Sequence, residues 1–301
     1  MSDPNFKALL RKERIVGLDK DIRLMTTDEL RRHFGAASSG RIVHTRVIKN
    51  IVWQVVGRVR RGELEGVDGN LRSFFYRFVK PVFARLPGAL DSGHDPYETM
   101  LDVFVELVGE HKLLSYWELD LTDDNWQHRR LGERHPEVLV FAEKVGFFRW
   151  LLRLHERFSV TVLALGGAPS LLSSEYLVRL LQTEAGLEGG VHLFGVTDHD
   201  PSGRALSEAF ATQLEGFGLV VETFEHLIGP EHFSAQELEI FAFPVPRRQK
   251  TLNRRWLEAG GGIGGKLLGL ESDAMPKSRL TALVQERLAK LGVEPVEEDR
   301  P

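Results

Sequence analysis

The spacing of apolar residues changes along the chain, from a helical period in the first part to short apolar runs in the second. Residues 41–61 carry valine and isoleucine at intervals of three and four, which predicts a helix with one apolar face. From about residue 137 the runs EVLVFA, VTVLAL, VHLFGVTD and LVVETF alternate with helical stretches at 144–157 and 173–184. This alternation predicts an α/β fold with a mainly parallel sheet.

The first 35 residues have the pattern of helices and helix caps. Residues 5–34 are predicted to be helical. Thr26 and Glu29 have the spacing of a capping box, in which each side chain bonds to the backbone of the other residue. Gly35 is a plausible helix stop. We predict an N-terminal helical arm over residues 1–40.

The segment that follows the first long helix combines further helices with one alternating run. LRSFFYRFVK predicts a helix that Pro81 should end or kink. A second helix is predicted to start near Asp95, with Pro96 in its first turn. The run SYWELDL alternates like a strand. Basic helices followed by a strand are compatible with a winged-helix DNA-binding domain, which we place at residues 41–130. The α/β domain then covers residues 131–301.

Composition excludes several kinds of site. The chain has no cysteine, so disulfides, thiolate catalysis and cysteine-based zinc sites are ruled out. No apolar run reaches the ~18–20 residues that span a bilayer. The charged N-terminus has no signal-peptide core. We therefore expect a cytoplasmic protein with no membrane partner, associated with the nucleoid if its partner is DNA.

Charge is distributed unevenly between the two parts of the chain. Residues 1–90 hold 18 Lys and Arg against 9 Asp and Glu, whereas residues 91–301 hold 21 against 34. A basic first third suits a polyanionic partner such as double-stranded DNA. Asymmetry of this size is also common in proteins without such a partner.

Carboxylates follow two of the predicted strands. Glu143 comes directly after EVLVFA, and Asp198 and Asp200 come directly after VHLFGVT. Ligands of open α/β sheets bind outside the carboxyl ends of strands, so these side chains converge if the two strands are neighbours. Carboxylate oxygens are the ligands that Mg²⁺ prefers, with Mn²⁺ as an alternative. In the simpler interpretation, the aspartates only cap the helix that begins near Pro201.

Five segments resemble a known family. The segments around Glu143 and Asp198–Gly203 resemble the glutamate and the Asp-x-Asp-Pro-x-Gly motif of a Toprim domain. Arg72–Tyr76 resembles the Arg-x-x-[Phe/Tyr]-Tyr motif of the A subunit of type IIB topoisomerases (topoisomerase VI) and of the meiotic double-strand-break transesterase. Residues 166–169 and 269–276 resemble two further segments of that family, both imperfectly; Ala168 replaces a glycine.

The resemblance implies a fold, a reaction and partners. The fold would be a winged helix followed by a Toprim domain. Tyr76 would attack a phosphodiester and become linked to a 5′ DNA end, with Arg72 and Glu143 as further catalytic residues. Glu143, Asp198 and Asp200 would hold Mg²⁺. The protein would be a homodimer in which Tyr76 of one protomer faces the metal of the other. A separate B-type ATPase subunit would be a further partner.

Tyr76 and the basic residues each have a simpler interpretation. Tyr76 lies in an aromatic stretch that is more often core than site, although Arg72 falls on the same helical face, four residues earlier. Two basic segments are candidates for contact with the DNA backbone, and a solvated charged surface is the alternative. Their residues are Arg58, Arg60, Arg61, Arg247, Arg248 and Arg254.

Two other functions remain open from the sequence. A Toprim nuclease would hydrolyse DNA with water and leave Tyr76 a structural role. A non-catalytic DNA-binding or assembly protein would keep the fold without the reaction. A carboxylate is present at all three expected acidic positions, which argues against the non-catalytic protein. The nuclease and the transesterase differ in whether Tyr76 is required for cleavage.

Overall fold

The computed structural model describes residues 4–86 and 95–296, and the chain divides between Asp123 and Asp124 into two units. The division falls a few residues before the predicted boundary. The described part of the predicted separate arm, residues 4–40 of 1–40, belongs to unit 1 together with the segment that follows it. Most of the predicted loop at residues 87–96 lies outside the described residues.

Unit 1 is helical over most of its described length. The predicted helix over residues 5–34 is interrupted, because Arg14 adopts a positive φ of 57° and the chain stays irregular until Ile22. The capping box of Thr26 and Glu29 is confirmed, with both bonds formed. The helices are α1 (Pro4–Lys12), α2 (Thr27–Phe34), α3 (His44–Arg60), α4 (Leu71–Phe74), α5 (Lys80–Phe83) and α6 (Pro96–Phe104), with a 3₁₀ turn at Ile22–Leu24 and π-helical segments at Phe75–Val79 and Val105–Glu110.

Helix α3 forms as its apolar period predicts and buries one face. Its valines and isoleucines from Val47 to Val56 are buried, and the helix packs on α6. Helix α6 starts where predicted, with the Asp95 side chain accepting a hydrogen bond from the N–H of Tyr97. Burial of each such aliphatic side chain contributes ~1.5–3 kcal/mol, so this pair of helices holds a large part of the core of unit 1.

Pro81 does not end its helix. The chain remains helical from Leu71 to Phe83, but the segment before Pro81, Phe75–Val79, widens into a π-helix. A proline ring clashes with the carbonyl four residues earlier in a regular α-helix, and a wider turn accommodates it. This segment buries Phe74, Phe75 and Phe78, so its other face is turned to solvent.

The predicted strand at residues 115–121 is wrong. The segment consists of turns, and Asp120 has a positive φ of 52°, which an extended strand does not allow. Leu121 forms only an isolated bridge with Gly69. Tyr116, Leu119 and Leu121 are buried by successive turns and not by an extended strand. Within residues 4–86 and 95–123, unit 1 therefore has no regular strand.

Unit 2 is an α/β unit, and its mainly parallel sheet is confirmed. The strand order is β1-β3-β2-β4-β5, with β1 antiparallel to β3 and the other pairs parallel. The strands are β1 (Arg129–Arg130), β2 (His135–Ala142), β3 (Val160–Ala164), β4 (Val191–Val196) and β5 (Val221–His226). A second, two-stranded antiparallel sheet pairs β6 (Phe243–Pro244) with β7 (Leu268–Gly269).

Helices cover both faces of this sheet. Alternate residues of β2 enter different apolar clusters: Val138 and Val140 belong to one, and Leu139 and Phe141 to the other. Burial on both faces explains why the strand is a continuous apolar run. The helices are α7 (Phe148–Phe158), α8 (Leu171–Thr183), α9 (Pro201–Gly216), α10 (Ala235–Phe241), α11 (Lys250–Glu258) and α12 (Lys277–Lys290), with 3₁₀ turns at Trp126–His128, Val145–Phe147, Pro230–His232 and Ser272–Ala274.

The helices of both units are short or amphipathic. Among the residues that the structure describes, none of them combines the length and the apolar character needed to cross a bilayer.

Candidate functional site

Three carboxylates, Glu143, Asp198 and Asp200, lie at one edge of the sheet of unit 2 and are called the acidic set. Strands β2 and β4 are neighbours, and their last residues, Ala142 and Val196, are paired. Glu143 follows directly, and its N–H bonds to the Val196 carbonyl at 3.1 Å. The condition on which the sequence-based prediction depended is therefore met, since both strands end at this edge.

Glu143 has its carboxyl in a place where a negative charge is unfavourable. Its Oε2 atom is buried and has no hydrogen-bond partner. Burial raises the pKa of the Glu143 carboxyl, and the negative charges of Asp198 and Asp200 raise it further. A cation beside this oxygen would remove the penalty, because it would neutralise the charge and satisfy the orphan atom.

Asp198 is held in place by a segment far along the chain. Its Oδ1 atom accepts hydrogen bonds from the Ser272 N–H at 2.7 Å and from the Ser272 hydroxyl at 2.7 Å. Lys144 Nζ lies 2.9 Å from the same oxygen. Burial favours a higher pKa for Asp198, but these bonds outweigh burial and hold the pKa below its ordinary value.

Asp200 caps a helix, as the simpler interpretation predicts. Its Oδ1 atom accepts a 2.7 Å bond from the N–H of Gly203, and Pro201 occupies the first turn of α9. Gly203 has to be glycine here, because a Cβ at this position would collide with the backbone carbonyl of Asp198. Asp200 nevertheless contributes its charge to the acidic set, since that charge acts on Glu143.

Lys144 supplies an internal positive charge to this edge. Besides Asp198, its Nζ atom lies 2.7 Å from Glu271 Oε2 and 3.2 Å from Asp273 Oδ2. Burial favours a lower pKa for Lys144, but the bonds to Glu271 and Asp198 outweigh it and raise the pKa. The ammonium group is therefore charged and is shared among three carboxylates.

The donor set has the chemistry that a hard divalent cation prefers, but its three ligand atoms do not all lie within 4.8 Å of one another. All three groups of the acidic set offer carboxylate oxygens, and Glu143 Oε2 is an orphaned buried atom beside them. Lys144 competes for Asp198, so a metal ion would bind there against a resident positive charge. Glu143, Asp198 and Asp200 are the residues that would hold the ion.

A different cluster brings its potential ligands closer together. Within the described residues, Glu13, Glu106 and His111 of unit 1 form the one group whose three ligand atoms lie within 4.8 Å of one another, and this group could hold a metal ion. Lys49 Nζ already lies 2.6 Å from both Glu13 and Glu106. No sequence pattern indicated this cluster, because Glu13 is far along the chain from Glu106 and His111.

Two motif segments singled out in the sequence reach the same edge of unit 2. After β3, the N–H of Gly167 bonds to the Glu143 carbonyl at 3.1 Å, and Gly166 and Gly167 have φ of 72° and 122°. The segment 269–276 supplies Ser272 to Asp198 and two carboxylates to Lys144. Both segments therefore build the site through backbone and side-chain contacts rather than as separate motifs.

A cavity of about 210 Å³ adjoins the acidic set. His226 lines it, and burial, followed by the charge of Arg204, lowers the pKa of His226 to about 4. The ring of His199 lies 5.2 Å from that of Trp256, and burial lowers the pKa of His199. Both imidazoles are therefore neutral at neutral pH and give the cavity a polar wall without adding positive charge.

Tyr76 lies in the π-helical segment of unit 1 and is exposed. Its side chain is 48% exposed, whereas Phe74 and Phe78 beside it are buried. Arg72 Cζ lies 5.8 Å from the centre of its ring, and Lys80 Nζ lies 4.6 Å from it. Tyr76 is therefore a surface residue with two positive charges near its ring, and it is not part of the buried aromatic core.

The arginines predicted to contact DNA differ in their contacts within the protein. Arg60 pairs with Glu118 and donates to the Leu113 carbonyl at 2.9 Å, and Arg61 pairs with Glu63. These contacts favour a structural role for both. Arg58 is partly buried, whereas Arg247, Arg248 and Arg254 are exposed at or beside α11. DNA contact by any of them stays a prediction.

Sequence analysis missed Lys144, Ser272 and His226. Lys144 is adjacent to Glu143, and Ser272 lies in a segment that was singled out, so both could have been proposed; His226 ends β5 and had no signal. No protein-family model matches the chain, and the comparison with curated proteins finds no match either.

Proposed function

We propose that this protein is a DNA-cleaving transesterase that uses Tyr76 as nucleophile and a divalent metal ion, Mg²⁺ or Mn²⁺, at the acidic set. One observation carries the proposal: Glu143, Asp198 and Asp200 meet at one edge of the sheet, with a buried oxygen of Glu143 left without a partner. Lys144 already pairs with Asp198 but leaves this oxygen of Glu143 without a partner, so a bound cation would relieve the cost of burying it. The Arg72–Tyr76 motif then selects DNA chemistry among metal-dependent reactions.

The exposure of Tyr76 is consistent with a nucleophile. A tyrosine held for packing buries its ring, whereas Tyr76 presents its phenol to solvent beside Arg72. In the proposed step the bond from Tyr76 Oη to phosphorus forms as the bond from phosphorus to the 3′ oxygen breaks. The phenolic proton is lost to water, and the 3′ oxygen gains a proton to become a hydroxyl.

The residues around each group have distinct tasks in this proposal. Arg72 binds the scissile phosphate, since a guanidinium matches phosphate oxygens. A bound divalent cation would neutralise charge on the phosphate and on the leaving oxygen. Winged-helix and Toprim architectures, a homodimer and a separate ATPase subunit belong to the same proposal through the family resemblance.

The test is a trapping experiment. End-labelled linear DNA and supercoiled DNA are incubated with the protein and Mg²⁺ or Mn²⁺, and the reaction is quenched with detergent. We expect label to migrate with the protein, and we expect this adduct to be lost in Tyr76→Phe and in Asp198→Ala. Tyr97→Phe is the matched control because Tyr97 contacts Phe75, the neighbour of Tyr76, and it should keep the adduct.

A hydrolytic nuclease is the second candidate, favoured by the fact that the whole acidic set lies in unit 2. It predicts DNA with free ends that Tyr76→Phe still produces and Asp198→Ala does not. That result would reject the transesterase. Binding of DNA without cleavage under any of these conditions would reject both enzymes.

A further inference from the structure

Lys80 lies on the same exposed helical face as Arg72 and Tyr76. The three residues are spaced by four, and the π-helical segment Phe75–Val79 joins them, closed by a bond from the Lys80 N–H to the Phe75 carbonyl. Lys80 Nζ lies 4.6 Å from the centre of the Tyr76 ring, closer than the guanidinium carbon of Arg72 at 5.8 Å. Both cationic side chains are exposed.

The neighbouring cation on this helix is used differently. Arg77 donates a hydrogen bond to the Val67 carbonyl, and its guanidinium carbon lies 5.2 Å from the centre of the Phe78 ring. Arg77 is therefore committed to the fold of unit 1. Lys80 has the phenol ring of Tyr76 as its neighbour, so its charge remains available to a ligand that approaches that phenol.

We propose that Lys80, four residues after Tyr76 on this helix, is a second phosphate-binding catalytic residue that contacts the scissile phosphate together with Arg72, four residues before Tyr76. This inference rests on the proposed role of Tyr76. As the phenolic oxygen approaches phosphorus, negative charge accumulates on the nonbridging oxygens, and pre-positioned cations stabilise it. A guanidinium gives a planar two-point contact, whereas an ammonium is a compact charge that fits the remaining oxygen.

A purely structural role makes a different prediction. Cation–π contacts between exposed side chains stabilise a helix slightly, and they do so whatever ligand is present. In that case removal of Lys80 would leave the rate of attack on DNA unchanged. The two roles therefore separate in the rate of the covalent step, measured at saturating DNA.

The absence of cysteine from the chain allows a direct test. In Lys80→Cys the new thiol is the sole one, so 2-bromoethylamine converts it to an aminoethyl side chain that restores the ammonium. Iodoacetamide gives a neutral side chain of similar bulk. Lys12→Cys, at the exposed end of α1, receives the same treatments as the matched control. Single-turnover adduct formation and DNA affinity are measured for each protein at full length.

We expect Lys80→Cys to form the adduct about 10–100-fold more slowly than the unsubstituted protein, with a much smaller change in DNA affinity. Aminoethylation should restore most of the rate, and carbamidomethylation should not. The Lys12→Cys protein should react at the normal rate in every form. Melting temperatures, together with a Lys80→Gln variant, establish that the fold is kept.

Two results would overturn the inference on Lys80. One is a normal rate of adduct formation in Lys80→Cys while Tyr76→Phe forms no adduct. This result would keep the proposed transesterase and reject only the role of Lys80. The other is an equal recovery of the rate of adduct formation after aminoethylation and after carbamidomethylation. This result would show that the bulk of the side chain, and not its charge, determines the rate. If the unsubstituted protein forms no adduct, the function proposed for Tyr76 fails first, and the role of Lys80 fails with it.

Discussion

Two regions differ in how far apart along the chain their residues lie. One is the exposed helical face around Tyr76, and the other is the acidic edge, the edge of the sheet of unit 2 that carries the acidic set together with Lys144 and Ser272. Arg72, Tyr76 and Lys80 are spaced by four on one helix. At the acidic edge, Lys144 meets Glu271 across 127 positions, and Asp198 meets Ser272 across 74. The first group exists wherever its helix forms, whereas the second exists only when the whole of unit 2 is folded.

This difference determines what each region does for stability. The face around Tyr76 is exposed, and its contacts are weak surface contacts. The acidic edge is partly buried, and its charges depend on one another. Substitutions at the acidic edge should therefore change the free energy of unfolding, whereas substitutions around Tyr76 should change activity and leave stability unaffected.

The largest effect is expected for Gly203→Ala. The added Cβ would meet the Asp198 carbonyl, which is backbone and cannot move without shifting the end of β4. We expect unit 2 to lose ~3 kcal/mol of stability, at the upper end of the overpacking range, and metal binding to weaken with it. Chemical denaturation measures the loss. Gly146→Ala is the control, because a Cβ there meets nothing within 4 Å; equal losses in both variants would contradict this account.

Lys144→Met should have the next largest effect. It removes the cation shared by Asp198, Glu271 and Asp273, so the metal-free protein should lose ~2 kcal/mol, as for a partly buried charge left unpaired. Affinity for Mn²⁺ should rise several-fold because the metal no longer competes with an ammonium.

Calorimetric titration with Mn²⁺ measures that gain in affinity. Lys290→Met serves as control, since Lys290 forms an exposed ion pair with Glu286, four residues earlier on the same helix. Unchanged or weaker metal binding in Lys144→Met would separate Lys144 from the metal site.

Glu143→Gln should stabilise the metal-free protein by ~1 kcal/mol at pH 7. The folded-state pKa of Glu143 is raised above its ordinary value of 4.5. Its carboxyl therefore makes its full contribution to the free energy of unfolding below pH 4.5, and this contribution is lost as the pH rises through the raised pKa. The stabilising effect should therefore vanish near pH 4.

Melting curves at both pH values, with and without Mn²⁺, test this prediction. Saturating Mn²⁺ should reverse the sign, because the glutamine variant loses a metal ligand. Glu188→Gln, at an exposed position, should show none of these changes. A variant that is less stable at pH 7 without metal would mean that Glu143 is a structural residue.

The smallest effects on stability are expected for Tyr76→Phe and Lys80→Gln. Both side chains are exposed, so the free energy of unfolding should change by no more than ~0.5 kcal/mol. Chemical denaturation of unit 1 measures it. A loss of ~2 kcal/mol in either variant would show that this face has a structural function and would remove the contrast between the two regions.

Some of the site was predictable because it depends on local rules. Glu143 and Asp200 follow apolar runs that form strands in the predicted places, and parallel strands bring their carboxyl ends to one edge. The N-cap role of Asp200 follows from its position before Pro201. Ser272 could have been proposed only through the family resemblance of residues 269–276, and His226 could not be placed at all, because no spacing in the chain relates either residue to β4.

Local patterns also misled in two places. Residues 115–121 alternate like a strand, but Asp120 adopts a positive φ, and the buried side chains come from successive turns. Residues 5–34 have helical composition, but the helix is interrupted after Lys12. In both places the core of unit 1 buries the apolar side chains by another path, which overrides the local preference.

The sequence by itself determined helices α3 and α6 of unit 1, strands β2 to β5 of unit 2 and the spacing of Arg72, Tyr76 and Lys80, because periodicity and caps act within a few residues. Only the tertiary structure decided which carboxylates meet, that Lys144 and Ser272 hold Asp198, and that Glu143 keeps an oxygen without a partner. Those properties depend on the order of strands in the sheet and on burial, which lowers the effective dielectric around charges that are distant along the chain.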